Sequence, residues 1–347
     1  MALGWAIIST GRHPEVKIAP AIAAAANGEL VAVYSRDMGR AQAFAEQHGA
    51  QAAYDDLDSL LADSRVDAAF ISSPNSIHAR HGIAAALAGK HLMVEKPMTT
   101  TLEDAVALVK ACQENGVKLG VGFELRHHPG HMFVREHISS GALGKINLAN
   151  AQWGFGVRGE DTPAPRTGLR EWWGQPGLIG GAAAMMGTGV HAVDLLRFLL
   201  GQEVVEVSAV TDGQTDFSPL ETMAATTLRF DGGTLATVCC GRSLPDSLND
   251  FTLYGTHGRA SGRATLWEAQ QGRVSVDSDS LNQTETYPSR FLGNFISQME
   301  QFAHAVEEDE NPAATGIDGL RVVEITLAMI QSAREGRTVK VSPATIS

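Results

Sequence analysis

Along the first third of the chain, unbroken apolar runs alternate with stretches whose apolar residues recur every third or fourth position. The runs are 3–9, 30–35 (LVAVYS), 66–72 (VDAAFIS), 91–95 and 117–123. Between them, 18–27, 38–48, 76–88 and 102–115 have helical spacing, with Gly49 and Gly89 placed as stops. A strand that is apolar throughout is buried on both faces. With helices as its connections, such a set predicts a parallel, doubly wound sheet covered on two sides.

After residue 123 the pattern changes. A basic segment (LRHHPGHMFVREHI) comes first, then a strand-like stretch over 144–155 and a polar, Gly/Pro-rich stretch over about 156–180. An amphipathic helix begins near His191 and stops at Gly201. Strand-like runs follow (VVEVSAVTDG, TMAATTLRFDGG, TLATVCCG, DFTLYGTHG), with Asp231-Gly232-Gly233 and His257-Gly258 as hairpin turns. Helices near 293–307 and 316–335 end the chain. The prediction is an α/β Rossmann domain over 1–123 and an α+β domain over 124–347, built on a large, mostly antiparallel open sheet.

Composition narrows the function. A length of 347 residues suits two domains. The formal charge of −12 repels phosphate backbones, which argues against nucleic acid while leaving room for one local basic pocket. Cys112, Cys239 and Cys240 form no CxxC motif and read as reduced core thiols, which fits a cytoplasmic protein. The opening MALGWAIIST lacks a basic leader and reads as a first strand. No run approaches about 18 apolar residues, so no membrane span is expected.

The first strand ends in Ser9-Thr10-Gly11-Arg12-His13-Pro14. A strand, a glycine turn and a helix N-terminus together offer amides to a pyrophosphate, although only Gly11 of the GxGxxG pattern is present. Thr10 can add a hydroxyl; Arg12 and Lys17 can add charge. At the end of the second strand, Ser35 and Arg36, with Arg40 one turn on, stand where an NAD site has an acid. A hydroxyl and guanidinium forks suit a 2′-phosphate, which favours NADP over NAD. Asp37 stays open as an inward ribose ligand for NAD or as a helix N-cap.

Four stretches together resemble the glucose–fructose oxidoreductase / inositol dehydrogenase (Gfo/Idh/MocA) family. They are Ser73-Pro74-Asn75 with His78; GKHLMVEKP, ending in Glu95-Lys96-Pro97; the run from Gly180 to Gly201; and Ala314 to Gly319 before the last helix. Within that family the chain is most similar to anhydrofructose-reductase-like and related sugar oxidoreductases. The resemblance implies that Lys96 sits at the nicotinamide and bridges cofactor and substrate hydroxyl. It implies further that Glu95 and Asn75 contact the nicotinamide-side ribose, that Ser73, Pro74 and His78 belong to the cofactor cleft, that His191 exchanges the proton, and that Arg126 lines the substrate site. A homodimer or homotetramer is implied as well.

Moving a hydride to or from a C–OH carbon also requires moving a proton. Imidazole titrates near neutrality, and an ammonium steadies a developing alkoxide. The expected function is therefore an NAD(P)-dependent oxidoreductase, NADP(H) favoured, acting on a sugar, cyclitol or related polyol. One departure matters: the resemblance calls for an acid four residues before His191, and Gly187 stands there. Thr188 or His127 could take over its hydrogen bonding or proton relay. Alternatively, the chain could be a nucleotide-binding sensor of the same fold without turnover, or could use a tightly held nucleotide for net non-redox chemistry. Trp172 and Trp173 read as a wall for a sugar ring or as core or interface aromatics. His127, His128 and His131 are expected to hold no metal, because Pro129-Gly130 interrupts their spacing and no carboxylate or cysteine is nearby in sequence. They read instead as a polar cleft wall or a helix start.

Overall fold

The computed structural model describes residues 2–159, 165–213 and 220–346. Its first sheet is built by β1 (Leu3–Ile8), β2 (Gly28–Tyr34), β3 (Ala52–Tyr54), β4 (Ala68–Ile71), β5 (His91–Val94) and β6 (Leu119–Val121). All pairs are parallel, in the order β3-β2-β1-β4-β5-β6. The connections run through α1 (Ala19–Ala24), α2 (Met38–His48), α3 (Leu57–Leu61), α4 (His78–Leu87) and α5 (Leu102–Glu114). This is the Rossmann order. The order in which strands are added reverses between β1 and β4, which opens a crevice at their C-terminal ends.

The unbroken apolar runs have a direct structural cause. In β1, Trp5 and Ile7 face one helical layer with Phe70 and Met93, while Ala6 and Ile8 face the other with Ile71 and Val94. Both layers bury their side of the strand, so alternation disappears from the sequence. Gly82 lets α4 and α5 approach closely, since a Cβ there would lie 2.6 Å from Leu108 Cδ1.

The second sheet draws on β7 (Ile146–Gly154), β8 (Val204–Thr211), β9 (Met223–Phe230), β10 (Leu235–Gly241), β11 (Phe251–Gly255), β12 (Gly258–Arg263), β13 (Gln270–Ser278), β14 (Asn282–Arg290) and β15 (Val339–Lys340). Their order is β14-β13-β12-β11-β7-β10-β9-β8-β15, antiparallel except for the β7–β10 pair. Strand β9 alternates buried and exposed positions along most of its length. The buried face of the whole sheet packs under α6 (Pro129–Ser139), α8 (Val190–Leu200) and α10 (Gly316–Glu335). The predicted turn at Asp231-Gly232-Gly233 joins β9 to β10, with Gly233 at φ 86°, a conformation that costs glycine little.

Sequence patterning did not indicate β3 or β12–β14. Strand β3 has three residues, and β14 (NQTETYPSR) is an edge strand without an apolar face. The stretch expected to be irregular contains a 3₁₀ turn, Gly168–Gly174, and a short helix α7 (Pro176–Ile179). A last difference concerns the chain ends. Helix α9 (Gly293–Glu307) and part of α10 return to the first sheet: Phe295, Met299 and Phe302 join the core around Trp5, and Leu320 and Val323 join the core around Leu108.

Candidate active site

A cleft of about 1190 Å³ runs along the C-terminal ends of β1, β2, β4 and β5 and under the second sheet. At β1 its wall is Thr10, Gly11 and Arg12, followed by the helical turn Pro14–Ile18 that leads into α1. Ser9, just before this wall, is held at φ 118°, a strained conformation for a residue with a side chain. At β2 the wall is Ser35, Arg36 and Arg40. Asp37 turns away and caps α2, accepting from Arg40 N at 2.9 Å, so the N-cap reading of this residue holds. At β4 come Ser73, Pro74, Asn75 and His78. The His78 ring lies between two carbonyls, with Nε2 2.7 Å from Ser73 O and Nδ1 2.9 Å from Pro97 O. It thereby ties the β4 loop to the segment that carries Lys96. Asn75 Nδ2 donates to Ile179 O at 3.0 Å and so joins the two halves. The donor set fits a dinucleotide: hydroxyls, guanidinium groups and a helix start, arranged around the crevice at the strand ends.

At the other end of the cleft, Lys96 Nζ donates to Gly187 O at 3.3 Å. Glu95 is in contact with His13 Nε2 at 2.8 Å and accepts from Lys96 N at 3.2 Å. Burial alone would raise the Glu95 carboxyl, but His13 and Lys96 hold it below the usual carboxylate range. His191, on the first turn of α8, packs tilted against Trp153 with ring centroids 4.5 Å apart. Burial, followed by the nearby Lys96, lowers its pKa well below that of a free imidazole, so the ring is neutral. Trp172 and Trp173 stack at 4.7 Å and line the cleft, with the Arg166 guanidinium 4.0 Å above the Trp173 ring. Thr188 also lines it, its hydroxyl donating to Ala184 O at 3.3 Å.

Known proteins are similar to this chain in sequence and fold. A family model described as an oxidoreductase family with an NAD-binding Rossmann fold matches residues 3–123, and one for the GFO/IDH/MocA C-terminal domain matches residues 131–261. The chain belongs to the Gfo/Idh/MocA oxidoreductase family. A 1,5-anhydro-D-fructose reductase of Ensifer adhaerens is 27% identical over 97% of this chain and 98% of that protein. A D-xylose 1-dehydrogenase (NADP(+)) of Haloferax volcanii is 28% identical over 97% and 99%. The crystal structure of an aldose-aldose oxidoreductase from Caulobacter crescentus, complexed with glycerol, superposes with a TM-score of 0.86 at 27% identity and covers 98% of this chain and 100% of that one.

Two residues expected at the substrate, Arg126 from the Gfo/Idh/MocA resemblance and His127 as a cleft wall or proton relay, lie elsewhere. Arg126 is not on the cleft wall. Its guanidinium is spent on Asp194, in a two-point fork at 2.6 and 2.8 Å, and on Asp318 at 2.9 Å and Ala313 O at 2.7 Å. His127 is also buried off the cleft, out of reach of a substrate there, and burial followed by the adjacent Arg126 charge lowers its pKa to about 3. His128 and His131 are local folding devices. His128 Nδ1 accepts from Gly130 N at 3.0 Å as the cap of α6, and His131 Nδ1 lies 2.8 Å from Leu125 O.

Two carboxylates at the site escaped the sequence reading. Glu221 accepts the amides of Ala183, Ala184 and Met185 at 2.8–2.9 Å, which pins the turn Met185–Gly189 that leads into α8. Glu124, in the turn directly after β6, lines the cleft with Oε2 3.3 Å from His191 Nδ1. Its position at the C-terminal end of a parallel strand was the available signal.

Proposed function

We propose that this NAD(P)-dependent oxidoreductase prefers NADP(H) and works at a C–OH/C=O carbon of a sugar, cyclitol or related polyol. The observation that carries this reading is the convergence of Lys96 and His191 on one cleft, from positions 95 residues apart in the chain. When bound, the nicotinamide supplies or takes the hydride. The Lys96 ammonium holds the reacting oxygen and steadies its negative charge. His191 passes the proton through Nε2, the nitrogen left to face the cleft once Nδ1 is turned to Glu124. Trp172 and Trp173 offer a flat apolar wall to the carbon face of a ring. The sugar-acting relatives and the bound glycerol of the Caulobacter structure support the substrate class. Arg36 and Arg40 beside Ser35, with Asp37 turned away, support NADP.

The test is a panel of sugars and polyols assayed at the nicotinamide absorbance, with Lys96→Ala and His191→Ala alongside wild type. Each variant is expected to lose kcat/KM by about 10²-fold or more while keeping its circular dichroism spectrum and melting temperature. Wild-type turnover in both would end the assignment. The same reading includes a cytoplasmic homodimer or homotetramer. Leu235, Leu148 and Tyr254 form an exposed apolar row across β10, β7 and β11 that a second copy would cover. Sedimentation as a monomer would remove that part. Among the described residues, no helix is long and apolar enough to cross a membrane.

A further inference from the structure

A histidine that exchanges a proton at one ring nitrogen needs a group at the other to fix its tautomer. The turn before α8 supplies none: position 187 is glycine, and the Thr188 hydroxyl is bonded back to Ala184 O. What faces Nδ1 comes from a distant part of the chain. Glu124 Oε2 lies 3.3 Å away, with both side chains no more than 5% exposed. The two segments are bolted together next door, because Arg126 and Asp194, two and three residues further along, form the buried fork.

We propose that Glu124 is the positioning residue and proton store behind His191, its carboxyl group donating to Nδ1 so that Nε2–H faces the substrate oxygen. This rests on the function proposed above. In reduction, the Nε2–H bond breaks as an O–H bond forms on the substrate, and the proton of Glu124 passes to Nδ1. The imidazole stays neutral, the carboxyl ends as carboxylate near Lys96, and solvent returns the proton. Oxidation runs the same transfers backwards, and the electron pair moves only with the hydride. Burial, offset in part by Lys96 and helped by Glu95, pushes the Glu124 carboxyl up to about 8. Glu268 also acts on Glu124, and His191 feels Lys96 and His13. Below about pH 8 the store is loaded and reduction is favoured; above it, the carboxylate accepts and oxidation is favoured.

The test has two readouts. In cofactor-free protein, infrared titration of the carboxyl band should show one group with a midpoint near 8, absent from Glu124→Gln. In turnover, wild-type reductive kcat should fall, and oxidative kcat rise, through the same pH. Glu124→Gln should lose about 10-fold or more in kcat and lose the inflection. Glu124→Asp should keep an inflection at reduced kcat, and it serves as the variant should the glutamine protein not fold. If no carboxyl titrates above about pH 6, or if Glu124→Gln keeps wild-type kcat and profile while Lys96→Ala and His191→Ala are impaired, the proton store is refuted and the site assignment survives. If all three variants turn over normally, both fail.

Discussion

At the end of β2, Asp37 and Arg36 are neighbours with opposite meanings for the cofactor. The carboxylate is committed to the first turn of α2, and the guanidinium is left on the cleft wall. A hydrogen bond to a charged group contributes about 1.5–3 kcal/mol, and each 1.4 kcal/mol is tenfold. Ser35→Asp with Arg36→Ala should therefore move the ratio of kcat/KM for NADP(H) over NAD(H) toward NAD(H) by about tenfold or more; an unmoved ratio would remove the 2′-phosphate argument. Which single residues were legible followed from their setting. Lys96 ends an apolar run in a specific motif, and His191 opens an amphipathic helix. Arg126 was misplaced because it lies in a 3₁₀ turn, where side chains two apart diverge by roughly 120°. Glu124 takes the cleft side of that turn and Arg126 the other, a choice that single-sequence periodicity does not encode.

Among elements, α8 and the turn before it carry most of the site. Glu221 holds their start through three amides, the Arg126–Asp194 fork holds the middle, and Gly201 ends the helix at φ 61°. Removing one partner of a buried pair leaves an uncompensated charge, at a cost of about 3–5 kcal/mol. Arg197 Nη1 remains 3.5 Å from Asp194 Oδ1, so Arg126→Leu should fall at the low end of that range. The check is the midpoint shift in urea unfolding, and an unshifted midpoint would mean that the fork does not hold α8. The α8 pattern was readable because its apolar stripe and stop glycine are local. The fork was not, because its partners come from segments 68 residues apart. Strands β12–β14 escaped for another reason: β12 buries only Ala260 and Gly262, β13 only Gln270, Val274 and Val276, and the edge strand β14 has no fully buried position, so the apolar alternation is too short to stand out in the sequence.

For the whole molecule, the chain carries a formal charge of −12, yet Arg12, Arg36, Arg40 and Lys96 line one cleft. Those cations offer an anionic dinucleotide a local attraction that the net charge does not. A ligand that binds only the folded form stabilises it by about 2.7 kcal/mol at 100 times its Kd. Thermal melts with equal NADP⁺ and NAD⁺ should show a rise of several degrees for NADP⁺ and a smaller one for NAD⁺. An equal or larger rise with NAD⁺ would reverse the cofactor preference. Both sheets and their order along the chain could be anticipated, because buried strands and covered faces leave different patterns. The return of the last helices could not, since their apolar stripes do not name the surface they cover.

That return has a consequence for synthesis. The six strands of the nucleotide half leave the ribosome early, but Phe295, Met299 and Phe302, which cover Trp5, Phe70 and Met93, leave it late. Until then Ile18, Ile22 and Phe44 cover those oily side chains only in part. A message truncated before codon 293 would therefore yield a sticky fragment for the quality-control machinery, not a smaller working oxidoreductase.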